Sequence, residues 1–380
     1  MRIITSLLFL IFLQATAQTG MRGLIVDAIT KQPLENANVF ISNTTYSAST
    51  NEKGEFLIAT PENKFQLVVA FVGYTTTVVT SDAFPDREKR YVIALNEESE
   101  ELFPVSILSA KERAKYIKLF KDNLVGTTRN AEKSSILNID DILLSVDEDK
   151  RWLEVSADVP LIIRNPALNY EITVVLASFK YDLKQRICHF TGYQSFQDLE
   201  PLTDKNSKKI IRERERAYKG SLMHFVRSAY EGKLTEERFL ITKFTMEPNP
   251  EYPGDEAVRE MYNSKKAGLA LHKTPPRDII VFDPRVLFPK DYLVESDGKK
   301  FFRFKNYLQV KYKVDGEEEN YRHEFMKVES DQTSQLQLVN NTLEIYKNGN
   351  LSNPEGMIVY GYMGWEKLAD AVPFDFVLEK

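Results

Sequence analysis

The N-terminal part of the chain alternates between short apolar runs and turn residues. Over residues 21–95, turn signals interrupt the apolar runs about every 8–12 residues, a spacing typical of all-β folds. Apolar residues that would face the core recur at every second position over residues 37–42. Residues 65–72 are almost continuously apolar, as in a central strand of a sandwich. Gly54 can adopt a positive φ without a Cβ clash, which predicts a hairpin turn over 50–54. The pattern predicts a small β-sandwich over residues 20–96.

The patterning changes after this stretch. Residues 97–110 begin with acidic positions that leave the sheet, which predicts a linker. Apolar residues then recur at helical spacing and predict a helix near 111–125. A second, long amphipathic helix is predicted over 206–230, with one apolar stripe and charges elsewhere.

The remaining segments are rich in strands. Residues 152–163, 170–181 and 187–193 predict an antiparallel meander. A helical turn is predicted over 365–371. Further strands are predicted over 238–244, 278–282, 301–313, 323–329, 335–339, 342–346 and 357–360. The fold class is therefore mainly β, with the N-terminal sandwich followed by a larger β-rich α+β domain over 111–380.

The first residues have the features of a processing signal. Arg2 is followed by an apolar run over 3–13 and by a small-x-small pattern at 15–17, which predicts a signal peptide over 1–17. A membrane anchor is the alternative, but spanning needs about 20 apolar residues and this run is shorter. No second such run follows, so we expect no transmembrane segment in the mature chain.

Composition narrows the class of protein. The 380 residues are 43% hydrophobic with a formal net charge of −5, which is typical of globular proteins and weighs against a nucleic-acid partner. Cys188 is the single cysteine, so no intramolecular disulfide is possible. Its neighbour His189 would point to the opposite face of a strand, which favours a packed cysteine over a reactive pair.

Three spaced motifs in the first 80 residues carry a family resemblance. They read G-L-I-V-D-A-I-T-K-Q-P-L-E-N-A-N-V, then T-N-E-K-G-E-F, then V-A-F-V-G-Y. This part of the chain resembles the carboxypeptidase regulatory-like domain, which implies a prealbumin-like β-sandwich that is accessory to a peptidase and has no catalytic residue. The family occurs in envelope proteins of bacteria with an outer membrane, including TonB-dependent receptors. The resemblance implies export across the inner membrane to the periplasm or cell envelope, with peripheral association with the outer membrane as one option.

The common catalytic motifs are missing from the sequence. None of the four histidines begins H-x-x-E or H-E-x-x-H, so a zinc peptidase is not predicted. G-x-S-x-G, a P-loop and a dinucleotide fingerprint are also absent from the sequence. We therefore predict no catalytic residue, no metal ligand and no cofactor.

Five residues are candidates for ligand binding. Arg214 falls within the apolar stripe of the long helix, where it needs a carboxylate partner or binds an anion. His224 is predicted on the flank of that helix. Tyr360, Tyr362 and Trp365 form either an aromatic platform for sugars or a corner packed beneath the sheet.

These observations favour a non-enzymatic envelope protein. In this interpretation the sandwich is a scaffold or interaction module, and the larger domain binds a protein or a glycan. Two alternatives stay open. One is a hydrolase of an unrecognised type that acts on peptide or glycan, because paired carboxylates leave no sequence signature. The other is an accessory subunit of an outer-membrane transporter.

Overall fold

The computed structural model describes residues 20–61, 64–87, 89–98, 103–147, 149–263, 274–325 and 330–378. The described residues fall into two compact units, one made of 20–42 with 46–98 and the other of 43–45 with 103–378. Both are built mainly from strands, so the predicted mainly β class is confirmed. The predicted signal peptide over 1–17 lies outside the described residues.

The first unit is a β-sandwich of two sheets, ordered β4-β1-β7 and β3-β2-β5-β6. Strands β1 and β7 pair in parallel, and the other pairs are antiparallel. Side chains from both sheets, such as Ile25, Val39 and Leu67, are fully buried in one core. The strands are β1 Gly20–Asp27, β2 Asn38–Ile41, β3 Ser47–Ser49, β4 Glu55–Ala59, β5 Gln66–Ala70, β6 Thr77–Thr80 and β7 Arg90–Leu95, with a 3-10 turn at Ser81–Ala83.

The turn predicted as a hairpin instead connects the two sheets. Gly54 has a φ of 71°, and a Cβ there would lie 2.5 Å from the carbonyl oxygen of Ile25. The strands on either side, β3 and β4, belong to different sheets. The positive φ predicted at Gly54 is therefore confirmed. The spacing of apolar residues, however, does not show which sheet the strand after a turn belongs to.

The second unit begins with helices that pack on a six-stranded antiparallel sheet of order β8-β11-β12-β10-β9, with β13 also paired to β12. Ser109 and Glu112 form a capping box at the start of the first helix, whose Phe120 contacts Phe179 at 4.8 Å between ring centroids. The elements are α1 Ala110–Leu124, α2 Arg129–Lys133, β8 Ser135–Ile136, β9 Ile142–Val146, β10 Trp152–Ala157, β11 Leu161–Asn165, β12 Tyr170–Asp182 and β13 Ile187–Asp198, with a 3-10 turn at Ile139–Asp141.

The region predicted as one long helix over 206–230 forms two helices, α3 Ser207–Tyr218 and α4 Leu222–Glu231. Gly220 has a φ of 86°, and the side chain of Ser221 accepts a hydrogen bond from the backbone of His224 as the N-cap of α4. The sequence G-S therefore ends one helix and starts the next, although the apolar stripe continues across it.

The C-terminal part contains a five-stranded antiparallel sheet, ordered β15-β14-β18-β19-β21, and a small sheet ordered β16-β17-β20. The strands are β14 Phe239–Pro248, β15 Asp278–Asp283, β16 Leu293–Ser296, β17 Lys299–Arg303, β18 Tyr307–Tyr312, β19 Gln332–Leu338, β20 Thr342–Ile345 and β21 Met357–Gly361. The helices are α5 Asp255–Asn263, α6 Pro289–Tyr292, α7 Glu319–Phe325 and α8 Tyr362–Trp365, with 3-10 turns at Pro354–Gly356 and Leu368–Asp370.

Two strand predictions in this part were wrong in detail. Residues 301–313 were predicted as one strand, but they form parts of β17 and β18 in different sheets, separated at Asn306, which has a φ of 64°. The strand predicted over 323–329 overlaps the end of α7, and residues 326–329 lie outside the described ones. Within the described ranges, no helix is both long and apolar enough to cross a membrane.

Candidate binding surface

One face of the five-stranded sheet is buried and the other is partly open to solvent. In β18, Leu308 and Val310 are fully buried in the core beneath the sheet. The alternating residues Tyr307 and Gln309 are only half-buried and lie on the opposite side. This second side is called the outer face below.

The register of the strands arranges the outer face in two rows of side chains. Directly paired residues lie side by side on the same face of a sheet. The first row crosses all five strands and consists of Ile358, Gln337, Tyr307, Phe244 and Phe282. The second row crosses four strands and consists of Tyr360, Gln335, Gln309 and Thr242. At the usual spacing between strands, the first row is about 19 Å long.

Aromatic rings form the middle and the ends of this surface. Phe244 and Tyr307 are stacked, with ring centroids 4.8 Å apart and an interplanar angle of 7°. Phe282 lies beside Phe244 at 5.6 Å and is 53% exposed, whereas Tyr360 at the opposite edge is 44% exposed. Partial burial and the neighbouring Tyr307 raise the pKa of Tyr360, so its hydroxyl remains a neutral donor and acceptor at physiological pH.

Amide groups supply the remaining polar atoms. Among the described residues, the side chains of Gln335 and Gln337 have no hydrogen-bond partner in the protein, and Gln309 accepts one long bond of 3.4 Å from Thr242. Each glutamine offers two N–H donors and one carbonyl acceptor. Neither row contains a charged residue. The two rows are thus uncharged and made of aromatic rings and amide groups, which suits a neutral hydroxylated ligand, whereas Lys311 and Asp278 lie on the same side of the sheet beyond the rows.

Of the three aromatic candidates near the C-terminus, the structure places only Tyr360 on the outer face. The chain turns at Gly361, with a φ of 75°, where a Cβ would lie 2.5 Å from the carbonyl oxygen of Thr333. Beyond this turn, Tyr362 and Trp365 are buried with Tyr321 in an aromatic cluster, with Tyr321 ring centroids 5.3 and 5.2 Å from theirs. The indole N–H of Trp365 also donates to the hydroxyl of Thr127 at 2.9 Å. These two rings are therefore packed inside the protein.

Arg214 is held by groups within the protein. It is 7% exposed and donates to the carbonyl oxygens of Leu168, at 2.8 Å, and Asn169, at 3.2 Å. Its guanidinium pairs with Asp198 at 2.5 Å and lies over the ring of Tyr170, 3.8 Å from the centroid. Nε and Nη2 of Arg214 thus already donate to protein acceptors. Of the two roles that the sequence allowed, this geometry is that of a structural ion pair.

His224 is buried, although the sequence placed it on the flank of the helix, outside the apolar stripe. The ring is 2% exposed and packs between Tyr218 and Phe239, at 4.8 and 4.9 Å between centroids. Nδ1 accepts from the backbone N–H of Gly220 at 3.1 Å, so the neutral ring carries its proton on Nε2, 3.2 Å from the carboxylate of Glu237. Burial lowers the pKa of His224 despite that carboxylate. The break between α3 and α4 turned this residue inward.

The comparisons with known proteins bear on the N-terminal part of the chain. Residues 21–107 match a family model described as CarboxypepD_reg-like domain. The sandwich unit is a CarboxypepD_reg-like domain. A crystal structure described as "putative membrane-associated protein of unknown function" from Bacteroides fragilis NCTC 9343 aligns at 11% identity over 90% of this chain and 94% of that chain, with a TM-score of 0.15. A DUF3823 family protein from Parabacteroides merdae ATCC 43184 aligns at 9% identity over 48% of this chain and 80% of that one, with a TM-score of 0.14. No curated protein matches the chain.

The motif residues of the CarboxypepD_reg-like domain hold its turns together. Asp27 is buried and accepts hydrogen bonds from the backbone and hydroxyl of Thr30, at 2.5 and 2.9 Å, and from the hydroxyl of Tyr74 at 3.0 Å. These bonds, those from Thr30 first, lower the pKa of Asp27. Thr50 bridges two loops through Ala37 and Leu34. The conspicuous motifs of this domain therefore have structural roles.

Two carboxyl groups with raised pKa values, the buried Asp370 and the half-buried Glu366, lie near the C-terminus of the second unit. Asp370 accepts from Thr128 at 2.7 Å and from Asn130 at 2.9 Å, and burial raises its pKa to about 7. Burial, together with Asp370, raises the pKa of Glu366. Within the described part of the chain, no group of three or more candidate ligands could hold a metal ion. Because the oxygens of Asp370 accept from Thr128 and Asn130, Asp370 ties the segment after α8 to α2.

The sequence reasoning missed most of the outer face. The missed residues are Phe244, Phe282, Tyr307, Gln309, Gln335 and Gln337. A signal was present in the strand Q-L-Q-L over 335–338, where amides alternate with buried leucines in place of the charges that usually occupy a solvated face.

Proposed function

We propose that this protein is a non-enzymatic binding protein of the bacterial cell envelope, whose second unit binds a neutral glycan on the outer face. The observation that carries the proposal is the pair of uncharged rows, in which the partly exposed rings of Tyr307, Phe282 and Tyr360 lie near glutamine amides. Ring faces pack against the apolar C–H faces of sugar rings, and amides exchange hydrogen bonds with sugar hydroxyls. The sandwich unit serves as a scaffold or interaction module.

The shape and charge of the outer face favour a polymer over other ligands. Small molecules are usually enclosed in concave pockets, whereas this surface is an open sheet face about 19 Å long. A nucleic acid or another polyanion would require a cluster of cations, and neither row contains one. A neutral polysaccharide strand could lie along a row and contact several side chains at once.

The proposed location is the periplasm or cell envelope of a bacterium with an outer membrane, with peripheral association with that membrane. The predicted signal peptide over 1–17 and the CarboxypepD_reg-like domain support it. Fractionation of cells that make the full chain tests this location. We expect the mature protein in the periplasmic or envelope fraction, shortened by cleavage after Ala17. Retention of the whole chain in the cytoplasm would contradict it.

Binding is tested by affinity electrophoresis in gels that contain dextran, mannan, xylan or a soluble glucan. We expect at least one of these polymers to retard the wild-type protein. Tyr307→Ala and Gln335→Ala should each weaken that retardation about tenfold, the effect of losing about 1.4 kcal/mol of binding energy. Trp152→Ala is the matched control, because Trp152 is a half-buried aromatic residue on β10, in the other large sheet of the unit.

Three results would contradict the proposal. The first is no retardation by any polymer. The second is an equal loss in the Trp152→Ala control. The third is release of new reducing ends from a polymer by the wild-type protein but not by a carboxylate variant, which would favour the hydrolase alternative. Recovery of a transporter component after crosslinking in intact cells, with unchanged recovery in Tyr307→Ala, would favour the accessory-subunit alternative.

A further inference from the structure

Strand β15 is an edge strand with apolar side chains exposed on both faces. Among the strands of the described residues, it pairs with β14 alone. Its four central residues are 38–53% exposed, namely Ile279, Ile280, Val281 and Phe282. Native edge strands are usually protected by charges, bulges or a covering segment, because their free backbone groups can pair with another strand. Here the charges stand at the two ends, with Arg277 and Asp278 before the apolar residues and Asp283 after them.

The hydrogen bonds to β14 show which backbone groups of β15 are free. Asn249 donates to the carbonyl oxygen of Arg277 at 2.9 Å, so the backbone of Arg277 points toward β14. Orientation alternates along an antiparallel strand, so the backbone groups of Asp278, Ile280 and Phe282 point away from β14. Pro248, which has no N–H, stands opposite Asp278, as this alternation requires. Among the described residues, these outward groups have no hydrogen-bond partner.

The sequence of the edge is complementary to itself in one antiparallel register. With a two-fold axis at Ile280, the outward residues form three hydrogen-bonded pairs: Ile280 with its own copy, and Asp278 with Phe282 twice. Ile279 then faces Val281, and Arg277 faces Asp283 at both ends. A register centred on Val281 would place Arg277 opposite Arg285 and Ile279 opposite Asp283. The first register has opposite charges at its ends and the second has like charges, so the first is favoured.

We propose that β15 pairs with β15 of a second copy of this chain, antiparallel and centred on Ile280, to form a two-fold dimer. The pairing joins two five-stranded sheets into one sheet of twice that width, with both outer faces on the same side. A polymer could then contact two outer faces at once, and its second contact would be intramolecular, which raises avidity. The dimer does not depend on the ligand, so it can be tested without a glycan.

Cysteine crosslinking tests the register in the full mature chain, with Cys188→Ser as the background. Paired residues at the axis have Cα atoms about 5.5 Å apart, within the range that a disulfide spans. We expect Ile280→Cys to form a covalent dimer under mild oxidation, and Ile279→Cys and Val281→Cys to remain mostly monomeric. Each altered residue is more than a third exposed, so folding should be retained. A covalent dimer from Val281→Cys instead, from all three variants equally, or from none would overturn the proposal.

Charge reversal tests the two end pairs by sedimentation of the protein over a concentration series. Arg277→Asp places two acidic residues opposite each other, and Asp283→Arg places two arginines opposite each other. We expect each variant to weaken the dimer about tenfold and the double variant to restore it, since like charges directly opposite are destabilising and opposite charges are not. A wild-type protein that stays monomeric up to about 100 μM, or a double variant as weak as the single ones, would overturn the proposal.

Discussion

Two sets of polar side chains in the second unit differ in how their hydrogen bonds are used. The interior set, Arg214, His224 and Asp370, is at most 7% exposed, and all three form bonds to other parts of the protein. The outer-face glutamines, Gln335 and Gln337, are half-buried, and among the described residues their amides have no protein partner. A polar group that is satisfied internally stabilises the fold, whereas one left available on a surface can bind.

This difference predicts which substitutions change the stability of the fold and which change ligand binding. Changes in the interior set should lower the free energy of unfolding, because they leave buried donors or acceptors unpaired. Changes of the outer-face glutamines should leave stability nearly unchanged and reduce binding.

The largest loss of stability is expected for substitution of Arg214. Arg214→Ala removes the donors that serve the carbonyl oxygens of Leu168 and Asn169 and uncovers the ring of Tyr170. We expect a loss of about 3 kcal/mol in the free energy of unfolding, measured by urea denaturation. Arg214→Lys should recover less than half of it, since an ammonium cannot reach both carbonyls and the carboxylate of Asp198.

Arg212 provides the matched control for that prediction. It is exposed on the same helix, two residues earlier, so Arg212→Ala should change stability by no more than about 0.5 kcal/mol. Equal losses in Arg212→Ala and Arg214→Ala would show that the helix, not the buried contacts, responds to the change.

The second largest effect is the contribution of Asp370 to stability, which depends on pH. Its pKa is raised from 3.8 to about 7 in the folded protein, so between these values the folded state binds more protons than the unfolded state. Its contribution to stability is complete below pH 4 and is lost as the pH rises through about 7. The slope for one such group approaches about 1.4 kcal/mol per pH unit. Glu366, whose pKa is also raised, acts in the same direction.

Thermal unfolding of wild type and Asp370→Asn between pH 5 and 8 measures this effect. The asparagine can still accept from one of Thr128 and Asn130 and cannot ionise. We expect Tm of the variant to fall less than that of the wild type as the pH rises. Parallel curves would show that Asp370 is already ionised throughout this range.

His224 should have a smaller effect on stability, and its dependence on pH should have the opposite sign to that of Asp370. Its pKa is lowered in the folded protein, so its contribution is present above about pH 6.5 and is lost as the pH falls through the folded value. Protonation of Nδ1 would break the bond from Gly220. In the Asp370→Asn background, where the opposing slope is reduced, His224→Gln should remove the loss of stability between pH 6.5 and 5, measured by urea unfolding. A persisting loss would assign it to another group.

The sequence predicted the sandwich more completely than the second unit, for a physical reason. In the sandwich, local turn residues such as Asp27, Thr30 and Gly54 determine where strands begin and end, and these are visible in the sequence. In the second unit, the surface is assembled by register between strands far apart in the chain, such as the pairing of Phe244 with Tyr307. His224 was misplaced because the left-handed Gly220 rotates α4 relative to α3, which helical periodicity does not encode.

The smallest effect on stability is expected from the outer face itself. Gln337→Ala removes an amide with no protein partner among the described residues, so the free energy of unfolding should change by no more than about 0.5 kcal/mol. Its neighbour Leu336 is fully buried, and Leu336→Ala should cost about 3 kcal/mol in the same urea titration. If Gln337→Ala instead approached the cost of Leu336→Ala, its amide would be engaged within the protein. The outer face would then belong with the interior set, and the rows of glutamine and aromatic residues could no longer be argued to bind a ligand.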